Sequence, residues 1–191
     1  MIKAIIFDID DTLLNFSKYA TKQVQLIAKK LNLKPVDEKE INQLWGTTLK
    51  NIISKIWGEK YIKKFKKEFI KIQKKSRFPP QPSSLSLIKK LKKHYILGLV
   101  SSKSKAVLRM HIKLAGFNLR DFLFTNAAED TKYNKPDPRV FSKPIKKLKL
   151  KPKEIIYIGD SIFDYIAAKK SGLKFIAVTT GSYKKIDFQK K

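Results

Sequence analysis

The chain has 191 residues, 42% of them hydrophobic, and carries a formal net charge of +27, so it can bury the core of one domain and still present a strongly basic surface. Because it contains no cysteine, it cannot rely on disulfides or thiolate chemistry, and we expect a cytoplasmic protein. No apolar run approaches the roughly 20 residues of a membrane-spanning helix, so we expect no membrane partner.

The positive charge raises nucleic-acid binding as one function to consider. However, lysines outnumber arginines by 39 to 4, and arginine is the better bidentate partner for phosphates and base edges. The basic residues are also spread along the chain without a single basic block. We therefore favour a solvated lysine-rich surface and keep nucleic acid as the less favoured partner. The sequence does not indicate an oligomeric state.

Five short apolar runs predict buried β-strands, at residues 3–7, 96–100, 122–124, 155–158 and 175–178. Continuous runs of this kind are typical of parallel strands that are covered on both faces. Between the later runs, apolar residues recur at helical spacing, and Gly116 and Gly172 follow two of these patterns as helix ends. Strands that alternate with helices predict an α/β fold with a doubly wound, Rossmann-like parallel sheet.

Residues 15–82 interrupt this alternation, because they contain no predicted strand. Apolar residues at helical spacing predict three amphipathic helices there instead, over residues 16–31, 41–56 and 62–72. Three prolines mark the end of the stretch, at positions 79, 80 and 82. We therefore predict a small all-helical insertion at 15–82 within an α/β core formed by residues 1–14 and 83–191.

Acidic and hydroxyl residues follow three of the predicted strands. Asp8 and Asp10 come after the first strand, Ser101 after the second and Asp160 after the fourth. Ligands of open α/β sheets lie at the carboxyl ends of the strands, so these side chains converge if the second and fourth strands flank the first. The alternative for residues 8–12 alone is an aspartate-rich turn, and we expect Asp11 to serve such a turn or to cap a helix.

Each of these residue types has a role in phosphoryl transfer. Carboxylates supply the oxygen ligands that Mg²⁺ prefers, and a carboxylate can attack phosphorus to form an acyl phosphate. An acid two residues further on can protonate the leaving oxygen. Serine hydroxyls can hold phosphate oxygens, while a lysine neutralises the charge that develops. Lys135 is the candidate lysine, because the proline-rich segment 134–138 holds it before a predicted helix.

Four segments, in this order, resemble the four motifs of the haloacid dehalogenase superfamily: DIDDTL at 8–13, VSS at 100–102, KP at 135–136 and GDSIFD at 159–164. The resemblance covers nearly the whole chain and is to the phosphoglycolate-phosphatase-like branch, which has a helical cap. It implies an enzyme, a phosphoric monoester hydrolase that acts on a small phosphomonoester through an aspartyl-phosphate intermediate.

The resemblance also implies site residues. The catalytic pair would be Asp8, the nucleophile, and Asp10, the acid and base. The phosphate-binding residues would be Ser101, Ser102 and Lys135. Mg²⁺ would be bound by the side chains of Asp8 and Asp160, by the Asp10 carbonyl, and by Asp164 either directly or through its hydrogen bonds to the other ligands.

By the same resemblance, residues 15–82 would form a mobile cap that carries substrate specificity. The turn that such caps point at the substrate would be Trp45, Gly46, Thr47 and Thr48. An alternative for Trp45 is a place in the interior of the helical insertion. The chain has about a dozen residues after its fifth predicted strand, fewer than many relatives, and residues 183–188 are expected to cover the last edge of the sheet.

Other functions remain open at this point. A phosphomutase would keep all four motifs, and a nucleotide or nucleic-acid phosphatase of the same fold would suit the positive charge. A dehalogenase of this fold would not need Asp10, because no oxygen leaving group is protonated. A non-enzymatic phospho-receiver domain also combines aspartates, a hydroxyl residue and a lysine, but the helical insertion and the late Gly159-Asp160 pair do not fit one.

Overall fold

A single parallel sheet organises the chain in the computed structural model, which describes residues 1–189. Its strands are β1 (Ala4–Phe7), β2 (Ile96–Val100), β3 (Phe124–Asn126), β4 (Ile155–Gly159) and β5 (Lys174–Ala177). They lie in the order β3-β2-β1-β4-β5, and every neighbouring pair is parallel. The predicted doubly wound α/β fold is confirmed, and β1 lies at its centre with β2 and β4 on either side.

Nine α-helices occur within residues 1–189. They are α1 (Ser17–Lys30), α2 (Glu38–Asn42), α3 (Leu49–Trp57), α4 (Ile62–Gln73), α5 (Ser84–Leu91), α6 (Lys105–Leu114), α7 (Ser142–Leu148), α8 (Ile162–Lys170) and α9 (Lys185–Gln189). Short 3₁₀ helices lie at Glu59–Tyr61, Leu119–Asp121, Ala128–Asp130, Pro138–Phe141 and Pro152–Glu154. No α-helix among the described residues is long and apolar enough to cross a membrane.

The strand β1 is apolar throughout because both of its faces are buried. Ile5 and Phe7 pack on one side, in a core shared with α5, α6 and the helices α1, α3 and α4. Ala4 and Ile6 pack on the other side, in a core shared with α7 and α8. Successive side chains of a strand point to opposite faces, so a strand covered on both sides needs the continuous apolar run seen in the sequence.

The helical segment, residues 15–82, connects β1 to α5. Its two ends lie side by side, because the Asn15 amide donates to the Pro79 carbonyl and the Gln81 amide donates to the Leu13 carbonyl. No strand lies between β1 and β2 in the described part of the chain, in agreement with the predicted helices. The division into a core and a separate cap domain stays a prediction.

The continuous helix predicted over residues 41–56 is wrong. The structure has α2 and α3 instead, separated by a turn at Trp45–Thr48. Gly46 adopts a φ of +100°, a left-handed conformation that cannot continue a right-handed helix. The apolar spacing misleads because Trp45 is buried although it lies outside any helix.

Both tryptophans belong to the helical segment. The Trp45 indole donates a hydrogen bond to the Thr21 hydroxyl at 2.8 Å and meets the Phe16 ring edge-on. Trp57 stacks on Phe65, with 5.2 Å between the ring centroids. Trp45 therefore lies in the interior of the segment, as the alternative interpretation of this residue proposed.

Two further differences concern the edges of the sheet. β3 begins at Phe124 rather than at residue 122, because Phe122 follows a 3₁₀ turn and packs in the core before the ladder starts. At the other edge, the Phe188 ring of α9 packs against Phe175 and Tyr165. Ile176 of the same strand stays exposed, so residues 183–188 cover the last strand only in part.

Asp11 caps the first helix of the segment. It has a φ of +55°, which aspartate tolerates better than most residues. Its carboxylate accepts hydrogen bonds from the amides of Phe16 and Ser17 at 2.9 and 3.0 Å, where α1 begins. The predicted capping role of Asp11 is thus confirmed.

We expect Asp11→Ala to lower the free energy of unfolding by about 1–2 kcal/mol, because two helix-terminal amides lose their acceptor and alanine is strained at positive φ. Asp11→Asn is the matched control, since its amide oxygen can accept the same bonds. Urea denaturation of the three proteins measures the difference. An alanine variant as stable as the asparagine variant would contradict the capping role.

Candidate active site

Three buried carboxylates meet at the carboxyl ends of β1 and β4. Asp8, Asp160 and Asp164 each place a carboxylate oxygen within 4.8 Å of the others. The sheet brings the first two together, because Phe7 pairs with Ile158 and the residues that follow them leave the sheet side by side. Asp164 comes from the first turn of α8, where it forms a capping box with Ser161.

Lys135 joins this cluster from the loop before α7. Its ammonium group donates to Asp8 Oδ1 at 2.8 Å and to Asp164 Oδ1 at 2.6 Å. Burial alone would lower the pKa of Lys135, but the carboxylates of Asp164 and Asp8 outweigh it and raise that pKa, so the group stays charged. Of the 39 lysines, the one singled out in the sequence therefore lies in the acidic cluster.

Tyr157 is a member of the cluster that the sequence did not reveal. It lies on β4, where its hydroxyl accepts a hydrogen bond from Lys135 at 3.1 Å and donates one to Asp164 at 2.8 Å. Its ring is buried against Phe141 and Phe175. A tyrosine in an apolar strand is usually read as an ordinary core residue. The one sign of a further role in the sequence was its hydroxyl, which needs a hydrogen-bond partner when it is buried.

The donor set fits a divalent cation. Asp164 already accepts four hydrogen bonds, from Lys135 and Tyr157 on one oxygen and from the amide and hydroxyl of Ser161 on the other. Asp8 and Asp160 are therefore the better placed direct ligands, with Asp164 orienting Lys135. Hard carboxylate oxygens of this kind suit Mg²⁺ and similar ions.

The electrostatics of the cluster point the same way. Burial raises the pKa of Asp8 to about 7, although Lys135 pulls it down. Burial and the neighbouring Asp164 and Asp8 carboxylates raise the pKa of Asp160 well above its usual value. One lysine therefore does not compensate three buried carboxylates, and a bound cation would supply the missing positive charge.

The Asp10 carboxylate pairs with a different cation, the Lys103 ammonium group. Lys103 Nζ lies 2.8 Å from Asp10 Oδ1, and both side chains are largely buried. Burial raises the pKa of Asp10 and lowers that of Lys103, while each partner opposes the shift of the other. Lys103 was also missed in the sequence, where it is one lysine among many and is marked only by its place two residues after Ser101.

A cavity of about 340 Å³ opens beside these groups. Asp8, Asp10 and Lys135 line it from the core, and the Trp45–Thr48 turn lines it from the helical segment. Ser102 also lines the cavity, and its hydroxyl donates to the Gly46 carbonyl at 3.0 Å, which joins the core to the turn.

The remaining predicted residues make local hydrogen bonds. Ser101 is buried, and its hydroxyl accepts from the Lys103 amide at 3.2 Å. The Thr47 hydroxyl donates to the Leu44 carbonyl, and the Thr48 hydroxyl accepts from the Asn51 amide as the cap of α3. The turn is thus positioned at the cavity, while these two hydroxyls serve to shape the turn itself.

The loop after β5 reaches the site, which the sequence did not indicate. The Thr180 hydroxyl donates to the Asp11 carbonyl. A Cβ atom at position 181 would lie 1.9 Å from Asp160 Oδ2, so any larger residue there would displace the Asp160 carboxylate. The Tyr183 hydroxyl donates to the Gln43 carbonyl at 3.0 Å and links this loop to the helical segment.

Comparison with known proteins identifies relatives along nearly the whole chain. Residues 5–178 match the family of haloacid dehalogenase-like hydrolases. The chain is 32% identical over 188 residues to a candidate pyrophosphatase, PpaX, of Clostridium perfringens, a match that covers 93% of this chain and 84% of that protein. It is 24% identical over 195 residues to a phosphoglycolate phosphatase of Aquifex aeolicus, covering 98% and 89% of the two chains.

Solved structures show the same likeness. A candidate haloacid dehalogenase-like hydrolase from Bacteroides fragilis superposes with a TM-score of 0.90 at 25% identity, covering 100% of this chain and 93% of that one. A candidate phosphoglycolate phosphatase from Lactobacillus plantarum gives a TM-score of 0.87 at 22% identity, covering 98% and 91%. Because the identity of the second match is only 22%, that match shows a shared fold and nothing more.

We expect Tyr157→Phe to lower the free energy of unfolding by about 1–3 kcal/mol, because it removes a buried hydrogen-bond donor to Asp164 and an acceptor for Lys135. Tyr165→Phe is the matched control, since Tyr165 is half-buried and also packs against the Phe175 ring. Its loss should stay within about 0.5 kcal/mol. Equal effects of the two substitutions in chemical denaturation would show that the Tyr157 hydroxyl does not stabilise the cluster.

Proposed function

This chain belongs to the haloacid dehalogenase-like hydrolases, and we propose that it hydrolyses a small phosphomonoester. In the proposed reaction, Asp8 is phosphorylated as an intermediate. The observation that carries the proposal is the Asp8 carboxylate itself. It lies at the end of the central strand, 2.8 Å from the buried Lys135 ammonium, and it lines the cavity. A positioned carboxylate beside a fixed cation is suited to attack phosphorus.

The reaction takes place in two steps. In the first, Asp8 forms a bond to phosphorus, the bond from phosphorus to the ester oxygen breaks, and Asp10 gives a proton to that oxygen. In the second, water forms a bond to phosphorus, Asp10 takes a proton from the water, and Asp8 is released as a carboxylate. Lys135 neutralises charge on the transferring group throughout, since phosphoryl transfer depends mainly on positioning and charge.

We propose Mg²⁺ as the cation of this site. The carboxylates of Asp8 and Asp160 and the Asp10 carbonyl would hold it, while Asp164 keeps Lys135 in place. When bound, the cation would neutralise the phosphate oxygens and offset the repulsion among the carboxylates. Ser101, Ser102 and Lys135 are proposed to bind the phosphate group itself.

The size and walls of the cavity support a small substrate. A volume of about 340 Å³ is at the lower end of the range for ligand sites in proteins. We propose that residues 15–82 act as a cap over this cavity and that the Trp45–Thr48 turn contacts the group attached to the phosphate. Closure of such a cap would exclude water and strengthen the electrostatic interactions inside.

The relatives support two chemical classes of substrate. The similarity to phosphoglycolate phosphatase supports a small phosphorylated acid, and the similarity to PpaX supports pyrophosphate. A phosphomutase or a nucleotide phosphatase would use the same core chemistry. The non-enzymatic receiver alternative is wrong, because the chain belongs to a hydrolase family.

We expect Asp8→Asn to remove at least about 1,000-fold of the turnover while the protein stays folded, because an amide cannot form the acyl phosphate. Phosphate release from a panel of phosphorylated metabolites and pyrophosphate measures turnover, and thermal unfolding checks the fold. Asp121→Asn is the control, since Asp121 pairs with Lys92 near the surface. A folded Asp8→Asn protein with wild-type activity would refute the mechanism.

We also expect hydrolysis of the preferred substrate to require added Mg²⁺ and to fall to background in excess chelator. Asp160→Asn should raise the Mg²⁺ concentration needed for half-maximal rate at least about tenfold, because a direct carboxylate ligand becomes neutral. A magnesium titration of both proteins, with Asp121→Asn alongside, measures this. Full turnover in excess chelator would count against a metal at this site.

A further inference from the structure

Lys103 is buried at the cavity wall but takes no part in the chemistry described above. The residue is 8% exposed, and its ammonium group lies 2.8 Å from Asp10 Oδ1. It also lines the cavity beside Asp8 and Ser102. A buried lysine is costly unless a partner compensates its charge, so its place next to Asp10 demands a reason.

The backbone of Lys103 is also held in place, by two hydrogen bonds. Its amide donates to the Ser101 hydroxyl, and its carbonyl accepts from the Ala128 amide at 2.9 Å. Its Nζ atom also lies 3.2 Å from the centroid of the Phe16 ring, which is a cation–π contact. The ammonium group therefore contacts both an aromatic face and Asp10.

The site contains two buried lysines, which pair with different carboxylates. Lys135 bonds to Asp8, Asp164 and Tyr157, whereas Lys103 pairs with Asp10. Asp10 therefore has its own cation. Asp8, the proposed nucleophile, and Asp10, the proposed acid and base, are therefore each oriented by a different lysine.

We propose that Lys103 is a positioning residue that holds the Asp10 carboxylate ready to take a proton from the attacking water. The proposal rests on the proposed function. In that step the water oxygen bonds to phosphorus, the bond from phosphorus to Asp8 breaks, the proton moves to Asp10, and inorganic phosphate is the product. The fixed ammonium limits the rotation of the Asp10 carboxylate, so Lys103 acts wherever Asp10 handles a proton, and with an ester whose leaving group needs no proton that is the second step alone.

An activated aryl ester separates the two steps. The nitrophenolate of 4-nitrophenyl phosphate leaves without a proton from Asp10, so the first step does not require the acid. We expect Lys103→Met, assayed with 4-nitrophenyl phosphate and Mg²⁺, to change the first-turnover rate less than about threefold. The steady-state rate should fall about 10- to 100-fold, a part of what a general base contributes, and phosphorylated enzyme should accumulate.

Lys105→Met is the matched control. Lys105 lies two residues further on and pairs with Asp130 at 2.7 Å, but its side chain is half exposed. This variant should behave as wild type in both phases. Lys103→Arg, which keeps a cation, should recover part of the lost steady-state rate. Rapid-quench kinetics and intact mass of the acid-quenched enzyme measure the two rates and the phosphorylated fraction.

Three outcomes would overturn the proposal for Lys103. The Met variant could match the Lys105 control, its two rates could fall together, or the Arg variant could recover nothing. If Lys103→Met does not fold in a thermal-unfolding check, Lys103→Gln is measured in the same way. Asp10→Asn is the reference, and if it does not accumulate phosphorylated enzyme, the proposed function itself fails.

Discussion

The hydrogen bonds of Lys135 to Asp8 and Asp164 are the interaction on which the rest of the site depends. Three carboxylates within 4.8 Å of one another could not be buried together without a cation among them. The ammonium group needs a rigid frame, and Tyr157 on the neighbouring strand provides its third partner. The contacts that stabilise the buried cluster therefore also orient Asp8, the proposed nucleophile.

The order of the strands explains how a few residues that are distant in the sequence form one site. β1 at the centre of the sheet brings Asp8 beside the ends of both β2 and β4, so each neighbour contributes one part of the site. β4 leads to the Asp160 and Asp164 carboxylates, and β2 leads to Ser101 and Lys103. The charges follow this geometry, since the proposed cation site lies on the β4 side and Lys103, the partner of Asp10, lies on the β2 side.

The sequence predicted a residue of the fold or the candidate site only where a local sequence pattern marked it. Asp8 and Asp160 follow apolar runs, so strand ends and topology located them. Tyr157 and Gly181 carry no such sign, because their roles arise from a hydroxyl meeting Asp164 and from a backbone approaching Asp160. The break at Gly46 was hidden for a related reason: apolar spacing reports burial, and burial continues through a turn.

The placement of the two tryptophans gives the molecule an internal optical probe. Both lie in the helical segment, and residues 83–191 contain none. Indole fluorescence therefore reports on that segment alone, whereas far-ultraviolet circular dichroism reports on the whole backbone. Non-coincident unfolding curves from the two signals would reveal the segment melting as its own unit. Trp45 also lines the cavity, so its emission provides a label-free signal for any compound that enters.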